Sequence, residues 1–165
     1  MEDSIYNIDP FKITSVHVSK DYKVMVGGIR QGRQVVTAMN KEGEQLNVYE
    51  QDKQNLPLFR YPYRITSTSN DTIYVSDYHP DDDHGRLVIL DPTGDVQYYT
   101  GHPVVNKDEP FRSVGLTTTP KDHVIVTDVD TYTLHIFNDI GQLMTYFNTR
   151  DVGIQYPFSL GFTPS

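Results

Sequence analysis

Apolar positions along this chain come in short runs and never trace the stripe of an amphipathic helix. Val24-Met25-Val26, Ile73-Tyr74-Val75 and Val124-Ile125-Val126 form three β-rich triplets. Each is followed by a second set: Val36, Ala38 and Met39; Leu87, Ile89 and Leu90; Leu134, Ile136 and Phe137. A third set closes each round, with Val48-Tyr49, Tyr99-Thr100 and Tyr146-Phe147 in one column. Short β-branched and aromatic runs bounded by polar residues predict strands of about 5 to 7 residues, and no helix of useful length.

The links between the second and third sets have one chemistry. They read Asn40-Lys41-Glu42-Gly43, Asp91-Pro92-Thr93-Gly94 and Asn138-Asp139-Ile140-Gly141, with glycines 51 and 47 residues apart. The leading Asn or Asp can cap the backbone two residues on, and the closing Gly accepts positive φ at no steric cost. This predicts the same hairpin three times. A further marker is Pro followed by an aromatic, at Pro10-Phe11, Pro62-Tyr63, Pro110-Phe111 and Pro157-Phe158. Proline cannot donate to a ladder and suits the start of a strand. The strands expected after these pairs are KITSVHV, RITSTS, RSVGLTTT and SLGFTPS.

Four short strands in units of about 40 to 50 residues are the pattern of β-propeller blades; a sandwich does not repeat one pattern in register. The predicted class is all-β: a propeller fragment of about three four-stranded blades plus the first strand of a fourth. A tail spans 1–9, the blades span about 10–59, 60–109 and 110–156, and the next begins within 157–165. Propellers close with about four to eight blades. Three blades therefore predict part of a larger ring, or an arc that self-associates through its open blade edges.

YPYRIT, DTIYVSDY, GRLVILDPTGDVQYYTG and EPFRSVGLTTTPKDHVIVTDVDTYTLHIFNDIGQLMTYF resemble the NHL-repeat propellers of the tripartite-motif (TRIM) E3 ubiquitin ligase-like family. The resemblance runs from about Pro10 to the end of the chain. The first unit departs most, with Gly27-Gly28 where the others carry Ser76-Asp77 and Thr127-Asp128. The resemblance implies a protein-interaction module that recruits targets for ubiquitin transfer by a longer parent protein, with no catalysis in this chain. Some propellers of that family bind single-stranded RNA on a basic face.

Charge and composition narrow this picture. The chain has no Cys, which excludes a disulfide framework and any thiolate zinc module such as a RING or B-box within it. Net charge is −8, and only Phe11 to Phe59 is mildly basic, with seven Lys/Arg against five Asp/Glu. A nucleic-acid face needs a dense basic patch, so the balance argues against RNA. No apolar run approaches the roughly 20 residues that span a bilayer, and the acidic start lacks the regions of a signal peptide. A soluble, cytoplasmic protein without membrane contact is expected.

Loops on a rigid β scaffold commonly carry recognition. The expected partner-binding residues lie in the loops between the second and third strands of each blade. They are Arg30 in the first blade, His79, Asp81, Asp82, Asp83 and His84 in the second, and Asp130 with Tyr132 in the third. The loop HPDDDHG could offer ligands to a divalent ion but lacks the alternating spacing of an EF-hand; it reads as a solvated loop or a surface for a basic partner. Asp77 and Asp128 read as caps on neighbouring backbone amides. No catalytic residue, metal ligand or cofactor is assigned. The alternative is a fragment of a six-bladed, metal-dependent lactonase or lyase, which needs ligands converging from several inner strands. Those strands are rich in Thr and Ser, and His17 alone among the histidines falls on one.

Overall fold

The computed structural model describes residues 11–79 and 81–161. These hold twelve strands: β1 (Phe11–Val18), β2 (Val24–Arg30), β3 (Arg33–Met39), β4 (Gln45–Tyr49), β5 (Pro62–Ser67), β6 (Ile73–Asp77), β7 (Arg86–Leu90), β8 (Val96–Tyr99), β9 (Ser113–Thr118), β10 (Val124–Asp128), β11 (Thr133–Phe137) and β12 (Leu143–Asn148). They form three four-stranded antiparallel sheets, each in sequence order. A short 3-10 turn, Thr149–Val152, follows β12. Among the described residues no helix is long and apolar enough to cross a membrane.

The expected hairpins are built as the sequence indicates. Asn40 Oδ1 accepts from the amides of Glu42 and Glu44, Asp91 Oδ1 from Thr93 and Asp95, and Asn138 Oδ1 from Ile140 and Gln142. Gly43, Gly94 and Gly141 hold φ of 82°, 86° and 87°, where a Cβ is disfavoured. At the same end, the turns between first and second strands cross-link the blades. Lys23 bonds Asp71 at 2.6 Å, Lys20 bonds Asp122 at 2.9 Å, and Ser69 reaches Asp122 through both its amide and its hydroxyl.

Packing between sheets follows the period-two alternation of the strands. Ile73, Val75, Val88 and Leu90 of the second blade meet Met25, Val36 and Ala38 of the first, with Leu58 and Phe59 filling the seam. The other face of the same strands, Tyr74, Leu87 and Ile89, meets Val124, Val126, Phe137 and Phe111 of the third blade. A middle blade buried on both faces explains the unbroken apolar runs Ile73–Val75 in β6 and Leu87–Leu90 in β7. The residues of the third blade matching Tyr74, Leu87 and Ile89 are Ile125, Leu134 and Ile136, and these are half-exposed.

The innermost strands β1, β5 and β9 share a device absent from the sequence reading. Each carries a bulge at one register, skipping Thr14, Tyr63 and Val114. Hydroxyls on these strands and on the neighbouring β6 then stitch the blades together. Thr14 and Ser15 donate to the Pro62 carbonyl at 2.6 and 2.9 Å, Thr66 and Thr118 share a bond of 2.7 Å, and Ser76 reaches the Ser113 carbonyl at 2.6 Å. The Thr/Ser richness of these strands is thus spent on joining blades.

His17 Nε2 lies 2.9 Å from Ser67 Oγ in the same seam, and burial lowers the pKa of its imidazole. A lowered folded value means the unfolded chain takes up the proton first. Stability is therefore full above the ordinary histidine value of about 6.5 and falls as pH drops from there through the folded value. Urea titrations between pH 7.5 and 5.5 should show this loss, and His17→Gln should remove its share of the slope.

Two stacked columns prove out of register. Pro62 faces Asp77, whereas in the third blade it is Ser113, three residues after Pro110, that faces Asp128. The Pro-aromatic pairs are therefore not equivalent in the ladder. In the outer hairpins, β3–β4 and β11–β12 bulge at Leu46 and Met144, but Leu90 pairs Val96 with no bulge. Tyr49, Tyr99 and Phe147 form the true column. Pro157 to Gly161, expected to open a further strand, carries no ladder among the described residues; the rest of SLGFTPS lies outside them. A Cβ on Gly115 would stand 3.0 Å from the Phe158 carbonyl oxygen, so this segment lies against β9.

The structure also explains Gly27-Gly28. A Cβ on Gly28 would collide with the Lys12 carbonyl oxygen and with the Phe11 ring, so the aspartate of the other blades has no room here. Gly28→Ala should cost about 1–3 kcal/mol, the usual range for overpacking, read as a lower urea midpoint at unchanged slope.

Candidate functional site

The loops joining second to third strands, and the connections from each blade to the next, all emerge at one end of the arc, opposite the Asx turns. All seven arginines of the chain stand at or just inside this rim: Arg30, Arg33, Arg60, Arg64, Arg86, Arg112 and Arg150.

Two buried aspartates organise it. Asp77, fully buried, accepts from the amides of Arg60 at 2.8 Å and Tyr61 at 2.6 Å, and from Arg86 Nε at 2.7 Å. Asp128, equally buried, accepts from the Arg112 amide at 3.1 Å, Asn106 Nδ2 at 2.6 Å and the Thr131 hydroxyl at 2.7 Å. Burial opposes its ionisation, but these bonds together with His135 outweigh it and hold the carboxyl below the usual range. His135 Nε2 lies 3.6 Å from Asp128 Oδ2, and its Nδ1 sits 2.9 Å from the Tyr99 hydroxyl across the seam. Both aspartates cap backbone amides and fix the connections between blades. The Tyr99–His135–Asp128 chain is walled in by Phe111 and Phe137, and its members face each other instead of solvent.

The expected loop residues are only partly brought together. Asp130 pairs with Arg112 Nε at 3.1 Å, and the Arg112 guanidinium lies 5.7 Å from the centre of the Tyr78 ring at the root of the loop of the second blade. Burial raises the Asp130 carboxyl against the pull of Arg112. Tyr132 holds φ of 58° under the Arg150 guanidinium, 3.4 Å from its ring centre. Asp81, Asp82, Asp83 and His84 are exposed, while His79 packs edge-on to Tyr61 with 4.8 Å between ring centres. Arg30 stands apart on the first blade, beside Arg33 and its partner Glu50. Among the described residues no three His, Asp or Glu side chains could hold a metal ion.

The sequence reading missed a cleft of about 370 Å³ between the second and third blades, lined by Arg60, His84, Gly85, Arg86, Thr100, Asn106, Pro110 and Phe111. Its two arginines lie far apart in sequence and meet only because Asp77 gathers both. The available signal was that Arg86 opens a strand at this end and Arg60 stands two residues before one.

No protein-family model and no curated protein matches the sequence. Solved structures do. The chain is similar to a catalytically inactive virginiamycin B lyase from Staphylococcus aureus with quinupristin, at 14% identity and TM-score 0.59, over 92% of this chain and 46% of that one. A streptogramin B lyase aligns at 12% identity and TM-score 0.59, over 94% and 48%. A putative gluconolactonase aligns at 13% and 0.53, over 86% and 51%. At such identities the likeness shows the fold, and with the three meandering sheets it places the chain in the β-propeller class. The chain spans about half the length of these structures.

Proposed function

We propose that the arginine-bearing rim is the ligand-facing side of a propeller of the lyase–lactonase kind, to which this chain contributes three blades and a binding surface. The observation that carries it is the rim itself: the connections from the first blade to the second and from the second to the third are each pinned by a buried aspartate, so that guanidinium groups are presented on fixed backbone. The likeness to lyase and lactonase propellers over most of the chain supports the same reading. Preorganised donors of this kind suit a ligand with carbonyl or carboxylate oxygens, such as a lactone or the hydroxy acid it opens to. Asp77, Asp128 and His135 are committed to structure, and the described residues do not fit a metal ion, so no bond-making step is assigned to this arc. Titrating the chain with glucono-lactone while following backbone amide signals and acid release should give saturable shifts at the rim and no ring opening above buffer. Shifts elsewhere, or none, would overturn the rim; chelator-sensitive turnover would place reacting groups in this chain.

A second reading is favoured by one observation. The loop of the second blade, from Tyr78 to Gly85, exposes Asp81, Asp82, Asp83 and His84, where the first blade turns in two residues at Gln31-Gly32. Such a projection suits a basic protein segment, as in the target recognition of TRIM-NHL-like proteins within a longer cytoplasmic parent. Binding of a lysine-rich peptide that is lost when the three aspartates become asparagine supports that reading; binding unchanged by the substitution removes it.

A further inference from the structure

The cleft between the second and third blades has a lining unlike the protein as a whole. In a chain of net charge −8, its walls carry two guanidinium groups, an imidazole, an amide and a hydroxyl, and no carboxylate. Asp77 lies beneath, fully buried, with its oxygens taken by Arg60, Tyr61 and Arg86. Arg86 is immobilised along one edge, with Nε on Asp77 at 2.7 Å and Nη2 on the Leu58 carbonyl at 3.0 Å, and it stacks 4.6 Å from the centre of the Tyr98 ring. Among the described residues its Nη1 has no partner. The Arg60 side chain is about half exposed and touches Asp77 only at 3.8 Å. Asn106 is held by Asp128, the Glu109 carbonyl and the His102 amide. Pro110 and Phe111 supply an apolar wall.

From this lining we infer a binding site for a small organic monocarboxylate, its carboxylate between Arg60 and Arg86 and its apolar body against Phe111 and Pro110. Two arginines over one buried aspartate leave a single unbalanced positive charge, which matches a monoanion better than a phosphate dianion. No lining residue belongs to the inner strands β1, β5 or β9, so the site is off the axis of the arc. It needs no further blades; it deepens the rim reading above, since Arg60 and Arg86 belong to that rim, but it is tested by benzoate at this one cleft and not by lactone binding along the rim.

The test is amide-resolved NMR on the intact chain, titrated with benzoate, with neutral benzamide and with inorganic phosphate. Benzoate should shift Gly85, Thr100 and Asn106 saturably and benzamide should not. Arg60→Ala should weaken benzoate about tenfold or more, as expected for a charge-assisted contact, while Lys121→Ala, in the β9–β10 turn at the opposite end of the arc, leaves it unchanged. Arg60 is exposed and its backbone contacts remain, so an unaltered melting temperature shows the variant folded. No benzoate shifts at the cleft, equal response to benzamide, tighter binding of phosphate, or indifference to Arg60→Ala would each overturn the assignment. Because the mapping is done on the unmodified chain, the proposal stays testable even if Arg60→Ala does not fold.

Discussion

Replacing Asp77 with alanine should destabilise the chain by about 3–5 kcal/mol, the cost of breaking a buried ion pair from one side. In a domain of this size that is a fall in melting temperature of roughly 6–20 °C. The carboxylate satisfies two amides of the connection between the first and second blades and the guanidinium of Arg86. Without it, two backbone donors and a partly buried cation lose their acceptor together, and the seam loses the clamp that orders Leu58 and Phe59. Asp77→Asn keeps one acceptor and should fall between wild type and alanine. A double-mutant cycle with Arg86→Met separates the ion pair from the amide bonds. A loss below about 1 kcal/mol in Asp77→Ala would show that the connection is held by packing alone.

Phe137→Ala should cost a similar amount, about 3–5 kcal/mol, by the other route open to a buried site: a cavity. The ring is almost fully buried, meets Tyr99 edge-on at 5.0 Å and Tyr74 at 6.3 Å, and closes the seam between the second and third blades. Its neighbours are fixed, since the Tyr74 hydroxyl donates to the Asn138 carbonyl at 2.5 Å and Tyr99 is tied to His135. A site whose walls are anchored cannot collapse into the void. Phe137→Leu should lose less than half as much, and both should lower the urea midpoint with the slope unchanged. A cost under 1 kcal/mol for the alanine variant would mean that the seam relaxes freely.

The repeat was legible because its determinants are local. An Asx residue before a glycine with positive φ specifies a hairpin from four residues, and period-two apolar runs specify a blade face. The slipped columns show where locality ends. Whether Leu46 and Met144 bulge while β7 and β8 do not is decided by the packing of the outer strands, and Pro-aromatic pairs mark strand starts without fixing register. The capping role of Asp77 and Asp128 could be read from their place at the ends of equivalent strands. The cleft could not, because Arg60 and Arg86 are unremarkable in sequence and are brought together by a buried carboxylate between them. The segment HPDDDHG read as a solvated loop or a surface for a basic partner, and the structure leaves Asp81, Asp82, Asp83 and His84 exposed while His79 packs on Tyr61. The ancestry suggested by the motifs rested on blade features that lyase and lactonase propellers share in three dimensions at 12–14% identity.

The two seams differ in their optical content. Tryptophan is absent, and the buried tyrosines among the described residues, Tyr74 and Tyr78, both sit where the second blade meets the third. Near-ultraviolet circular dichroism will therefore draw most on that junction, the other being reported by Tyr49 and Phe59. A parting of the first blade would change the spectrum less than a parting of the third, so a largely native aromatic signal speaks first for the second and third blades.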